Sequence, residues 1–116
     1  MGVMVSIQFV KFGEVMVDGM VYYSDMVVWW DGEKEFVPKS HILDMRAFSR
    51  LLRKKPDMVV VGTGQQGCVR ISDDARERAR EKGIKIFEET SAKAADIFNG
   101  LAATGKRVVA FIHTTC

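Results

Sequence analysis

Gly62-Thr63-Gly64-Gln65-Gln66-Gly67 has the form G-x-G-x-x-G directly after an apolar run, and Glu88 follows Gly64 by 24 residues. In a dinucleotide site, such glycines let the backbone approach a pyrophosphate seated on the next helix N-terminus, and a later acid holds the ribose. Here Cys68, Val69, Arg70 and Ile71 separate the glycines from Ser72, the first residue suited to cap a helix. That helix opens too late for its free N–H groups to meet a phosphate, so no nucleotide cofactor is predicted. A smaller role fits the pattern better. Gly62, Thr63, Gly64, Gln65 and Gln66 stand at a strand C-terminal end, where loop N–H groups can hold a small anion or polar ligand at the surface. The competing expectation is a closed turn whose N–H groups bond back into the chain.

His41, Cys68, His113 and Cys116 are the only His and Cys residues. Two imidazoles and two thiols are a zinc-type donor set, but no C-x-x-C or other paired spacing supports it, so no metal is predicted. A thiolate beside an imidazole would be a nucleophile. His113 reads instead as the end of a strand and Cys116 as an inert thiol, and no catalytic residue is assigned. Asp73 and Asp74 are explained by the positive end of a helix dipole.

Charge is unevenly spread. Residues 1–38 carry two Lys and six acids, residues 39–55 carry six Lys or Arg and one Asp, and the net charge is +2. A balance this small does not predict a nucleic-acid partner. Arg46, Arg50 and Arg53 have no interleaved aromatics and read as the solvated face of a helix. The longest apolar runs, such as Met26–Trp30 and Val108–Ile112, are five residues, too short to cross a membrane. The N-terminus reads as strand and not as a secretion signal. With only two Cys, reduced thiols and a cytoplasmic location are expected.

These residues must be positioned by one domain spanning 1–116. Val3, Val5, Ile7 and Phe9 alternate with polar and smaller neighbours as in a strand. Asp18-Gly19 lies between two further strands and suits a tight hairpin, since both residues accept positive φ. Met26–Trp30 and Glu33–Val37 follow, and Pro38 closes the second. Asp44–Lys55, Asp73–Lys82 and a segment starting at Thr90 or Ser91 have helical spacing, with Pro56, Gly83 and Gly105 as stops. Met58–Val61, Ile84–Phe87 and Arg107–His113 are strands between and after them.

Strands alternating with helices predict crossover units. The expected fold is therefore α/β, three-layered, with a central mixed, mainly parallel sheet and an antiparallel N-terminal hairpin region. Its core should hold Val59, Val61, Ile84, Ile86, Ile97, Phe98, Leu101, Val109 and Phe111. Trp29 and Trp30 are adjacent and point to opposite sheet faces, so either could anchor a protein interface.

Several segments also carry a resemblance. They are Tyr23-Ser24-Asp25-Met26-Val27-Val28-Trp29 with Asp31-Gly32, Val59-Val60-Val61-Gly62-Thr63-Gly64, Lys82-Gly83-Ile84, the Asn99 to Gly105 helix end, and Phe111-Ile112-His113-Thr114-Thr115-Cys116. In order and spacing the chain resembles the domain-of-unknown-function family that includes the mitochondrial complex I assembly factor three and the adipogenesis-associated cytosolic protein. The Thr-Thr-Cys ending is most similar to the cytosolic branch. The resemblance implies a three-layer α/β fold and no required cofactor. It supplies no catalytic residue, and Gln65 to Cys68 match no pattern of the family.

Two functions remain. The first is a non-enzymatic binding or assembly module acting through an unidentified protein partner, with self-association open. The second is a small-ligand binder or enzyme with its site at Gly62–Gln66.

Overall fold

The computed structural model describes residues 5–116; the expected strand positions Val3 and Met4 lie outside them. The first three strands are β1 (Ile7–Lys11), β2 (Glu14–Val17) and β3 (Met20–Tyr22), an antiparallel meander in the order β1-β2-β3. Asp18 and Gly19 both take positive φ, 50° and 85°, as the hairpin between β2 and β3 requires.

The central sheet is built from β4 (Asp25–Trp29), β5 (Lys34–Val37), β7 (Met58–Gly62), β9 (Lys85–Glu89) and β10 (Val108–Ile112). Its order is β5-β4-β10-β7-β9. The sheet is mixed. β10 runs parallel to β7, and β7 to β9, while β4 is antiparallel to both β10 and β5. The crossover helices produce the parallel half, as their alternation with strands implies.

Two short strands escape sequence periodicity. β6 (Ile42–Leu43) and β8 (Arg70–Ile71) form a two-residue parallel pair. β8 occupies the stretch between the glycine loop and the second helix. The glycines therefore feed a strand, and a dinucleotide cradle cannot form there.

The first helix, α1, covers Met45–Leu51 and continues as a 3-10 turn over Leu52–Lys54. Asp44 caps it by accepting from the Ala47 N–H at 2.9 Å. The second, α2 (Asp73–Glu81), is capped by Ser72 and buries only Ala75 and Ala79, so it lies close on the sheet. The third, α3 (Ser91–Ala103), buries Ala94, Ala95 and Phe98.

The sheet thus has two covered faces. On one, α3 and the β1–β3 meander enclose Met26, Val60, Phe98, Ala110 and Ile112. Asn99 ties these two covers together, donating to the Ile7 carbonyl and accepting from the Ile7 N–H, each at 2.8 Å. On the other face, α1 and α2 enclose Val27, Trp29, Phe48, Leu51, Val61 and Phe111. This double cover explains the uniformly apolar β7. Of the expected core, Val59, Val61, Phe98, Val109 and Phe111 are buried. Ile84, Ile86, Ile97 and Leu101 are half-buried; the first two flank or lie on β9, an edge strand with less cover.

Candidate functional site

One row of side chains runs along β4 and β10 on the α1/α2 face: Trp29 opposite Val109, then Val27 opposite Phe111. The next pair in that register is Asp25 and His113. The row changes there from apolar to ionisable without leaving the interior, and both side chains are fully buried. His113 Nδ1 lies 2.6 Å from Asp25 Oδ2. Asp25 Oδ1 already accepts from the Thr114 N–H at 2.9 Å and the Thr114 hydroxyl at 3.0 Å. The carboxylate is an acceptor at both oxygens, so His113 donates its Nδ1–H to it and Nε2 is the ring nitrogen left for another partner. The Thr115 hydroxyl lies 3.1 Å from that Nε2.

Beyond His113 the chain passes over the glycine loop. The Gln65 N–H donates to the Thr115 carbonyl and the Gln66 N–H to the Cys116 main-chain oxygen, both at 2.8 Å. The Gly64 N–H donates to Ser91 Oγ at 2.9 Å, and that hydroxyl donates to the His113 carbonyl at 2.6 Å. The Thr63 N–H donates to the Glu89 carbonyl at 2.9 Å.

These contacts correct the surface expectation for the loop. Gly62, Thr63 and Gly64 are buried, whereas Gln65 and Gln66 are exposed. All four N–H groups from Thr63 to Gln66 are spent within the chain. The loop receives residues 113–116, and its main-chain donors from Thr63 to Gln66 are turned inward to the chain. Gly64 is the tightest point: its φ is +106°, and a Cβ there would lie 2.3 Å from the Cys116 carbonyl carbon.

Threading the chain this way assembles the residues that sequence spacing kept apart. His41, on the segment between β5 and β6, places Nε2 3.3 Å from Cys116 Sγ. Its ring meets the His113 ring edge-on, with centroids 5.3 Å apart. One donor atom from each of His41, His113 and Cys116 lies within 4.8 Å of the others. Cys68 lies outside that trio, but its N–H donates to the Cys116 main-chain oxygen at 3.3 Å, and both thiols are free. The Cys68 thiol is pushed above the ordinary thiol range, first by hydrogen bonding with Cys116, then by lost solvation and the Cys116 charge. Beside this cluster, a groove of about 370 Å³ is lined by Val27, Phe111, Ser40, Ile42, Arg46 and Arg50.

The basic face of α1 has a different use. Arg53 binds Glu33 and Glu35, Lys54 binds Asp31 and Glu33, and Arg50 approaches Glu35. The acidic first third and the basic middle segment are therefore spatial neighbours. Hydrogen bonds from Arg53 and then Lys54 hold the Glu33 carboxyl below its ordinary range.

Of the two tryptophans, Trp29 needs correction as an interface candidate. Trp29 is fully buried and its indole N–H donates to the Leu51 carbonyl at 3.2 Å, so it offers no contact surface. Trp30 is half-buried, with the Arg107 guanidinium 5.3 Å from its ring centroid. The exposed apolar side chains are others: Tyr23 at 77%, Phe36 and Met20 at 60%. Tyr22 packs on Phe36 with ring centroids 5.5 Å apart, so the side chains of β3 and β5 meet although the strands belong to separate sheets. Phe12 and Ile42 are exposed elsewhere.

The architecture defines a mixed α/β protein, a central sheet covered by two helices on one face and by a helix and a meander on the other. Residues 7–113 match the family described as protein of unknown function (DUF498/DUF598), and the chain belongs to it. The fold is shared with a conserved hypothetical protein from Pyrococcus horikoshii OT3. That protein is 28% identical, with a TM-score of 0.86 over 96% of this chain and 99% of that one. A protein described as an outer membrane protein from Bartonella henselae gives a TM-score of 0.82 at 18% identity, over 97% of each chain. A Bordetella parapertussis protein gives 0.77 at 18%, over 96% of each. The last two likenesses concern the fold alone. Among the described residues, no helix is long and apolar enough to cross a membrane.

Proposed function

We propose that this protein is a non-enzymatic binding module whose work is contact with an extended segment of another polypeptide. Exposed Phe36, packed on Tyr22 where β3 meets β5, together with the exposed side chains of Met20 and Tyr23, carries this reading. Large exposed aromatic and Met side chains are what protein interfaces enrich. β5 is also the last strand on its side of the sheet. Such an edge can accept one further strand through main-chain hydrogen bonds, with these exposed side chains gripping its own. A cytoplasmic setting goes with this reading, since both thiols are free.

The test is photo-crosslinking in the native host, with the reactive amino acid at Phe36 and, as control, at exposed Lys93 on α3. The expected result is one dominant crosslinked polypeptide at position 36 that is absent at 93 and lost in the Tyr23→Ser variant. The same products at both positions, or none, would overturn the reading. A crosslink to a second copy of the chain would replace the foreign partner by self-association.

A further inference from the structure

We propose that His41, His113 and Cys116, with Cys68 as fourth donor, form a binding site for a divalent ion of the zinc class. Three independent features point there.

The first is distance. Metal bonds of about 2.0 Å to imidazole and about 2.3 Å to thiolate place tetrahedral ligand atoms roughly 3.5 Å apart. His41 Nε2 and Cys116 Sγ stand at 3.3 Å, and the whole trio fits within 4.8 Å. His41 is exposed and free to rotate toward the other donors.

The second is orientation. A metal-bound histidine characteristically gives its other ring N–H to a carboxylate, which fixes the tautomer and raises the donor strength of the ligating nitrogen. Asp25 does this to His113, fully buried, 2.6 Å away, and held in turn by Thr114. Apolar packing does not require such a pair at the end of a β-row. The pair does fix the ring of a ligating nitrogen.

The third is chemistry. Two imidazoles and two thiols are a borderline-soft set that favours zinc-like ions over magnesium or calcium. The donors come from three separate segments: the β5–β6 connection, the glycine loop and the stretch after β10. The Thr115 hydroxyl, 3.1 Å from His113 Nε2, would yield its place to the ion. Each thiol would release its proton to solvent on binding. His41, exposed, provides the way in.

The test uses the full, untagged chain, purified without metal and kept reduced, so that Cys68 and Cys116 cannot pair. Titration with Zn²⁺ against a chromophoric chelator should give one ion per chain with a dissociation constant below about 1 μM. Co²⁺ should give the intense visible bands of a tetrahedral site and a thiolate-to-cobalt charge-transfer band. His41→Ala, whose side chain is exposed and whose apo melting temperature should match wild type, should weaken binding at least about tenfold. Cys116→Ser should remove about half of the charge-transfer intensity, the remainder coming from Cys68. No stoichiometric binding, or equal binding in the His41→Ala/Cys116→Ser double variant, would overturn the site.

Discussion

The His113 imidazole and the Asp25 carboxylate meet 2.6 Å apart with no solvent access to either. They join β4 to the far end of β10 and carry the chain into the glycine loop. Removing one partner strands the other in a dry interior, which costs more than the pair contributes as a whole. Asp25→Ala should therefore destabilise by about 3–5 kcal/mol. Chemical denaturation checks this, and a loss below about 1 kcal/mol would show that the pair is hydrated in solution.

Gly64 and Gly83 separate crowding from backbone strain. Both have positive φ, but a Cβ at Gly83 meets nothing within 4 Å, while at Gly64 it meets the Cys116 main chain at 2.3 Å. Gly83→Ala should cost about 1 kcal/mol, and Gly64→Ala about 3 kcal/mol or more with selective loss of order in residues 113–116. Equal losses would mean that the loop and those residues are not packed together.

Phe98 is fully buried between α3 and the sheet. Phe98→Ala should cost about 3–5 kcal/mol. A change within about 0.5 kcal/mol would be incompatible with that packing.

The Arg53–Glu33–Lys54 web should show in pH and salt dependence. Glu33 and Asp31 have folded values below their ordinary ones; at Asp31, desolvation opposes the shift but the Lys54 and backbone hydrogen bonds outweigh it. A lowered carboxyl stabilises above its unfolded value, and the contribution fades as pH falls through the folded value, below about pH 4. The melting-temperature gap between wild type and Arg53→Ala should shrink from about pH 6 to about pH 3, and also in high salt. A gap independent of both would assign Arg53 to packing on Trp29, whose ring centroid lies 4.6 Å from its guanidinium carbon.

Cys68 should alkylate more slowly than an unperturbed thiol near pH 8, because its raised value leaves less thiolate. In Cys116→Ala the hydrogen bond and the like charge are gone, and Cys68 should react faster. Mass-resolved alkylation reads both rates; an unchanged rate would show that the two thiols do not interact.

Much of the fold was legible because its signals are local. Asp18-Gly19, the caps Asp44 and Ser72, and the alanine pair of α2 each act within a few residues. β6 and β8 were not legible, since two-residue strands have no period. The site was hidden for a stronger reason. His41 and His113 meet only because β10 inserts between β4 and β7, and their spacing carries no record of that insertion. One signal was available. Asp25 and His113 end rows of alternating apolar residues, Trp29-Val27-Asp25 and Val109-Phe111-His113, and a charged residue on a buried phase needs a partner. For the loop, glycine spacing announced a sharp turn but could not say what would fill it.

The place of β10 has a consequence for synthesis. During translation the nascent polypeptide can form the β4–β5 hairpin and the β7–β9 unit well before residues 108–112 leave the ribosome. Those earlier pieces share no hydrogen bonds in the finished sheet, because β10 stands between them. Until it emerges, Met26, Val28, Val59 and Val61 lie on exposed strand edges open to improper association. Joining of the sheet is therefore a late event, and a chain released at Arg107 would hold two halves with no seam to join them.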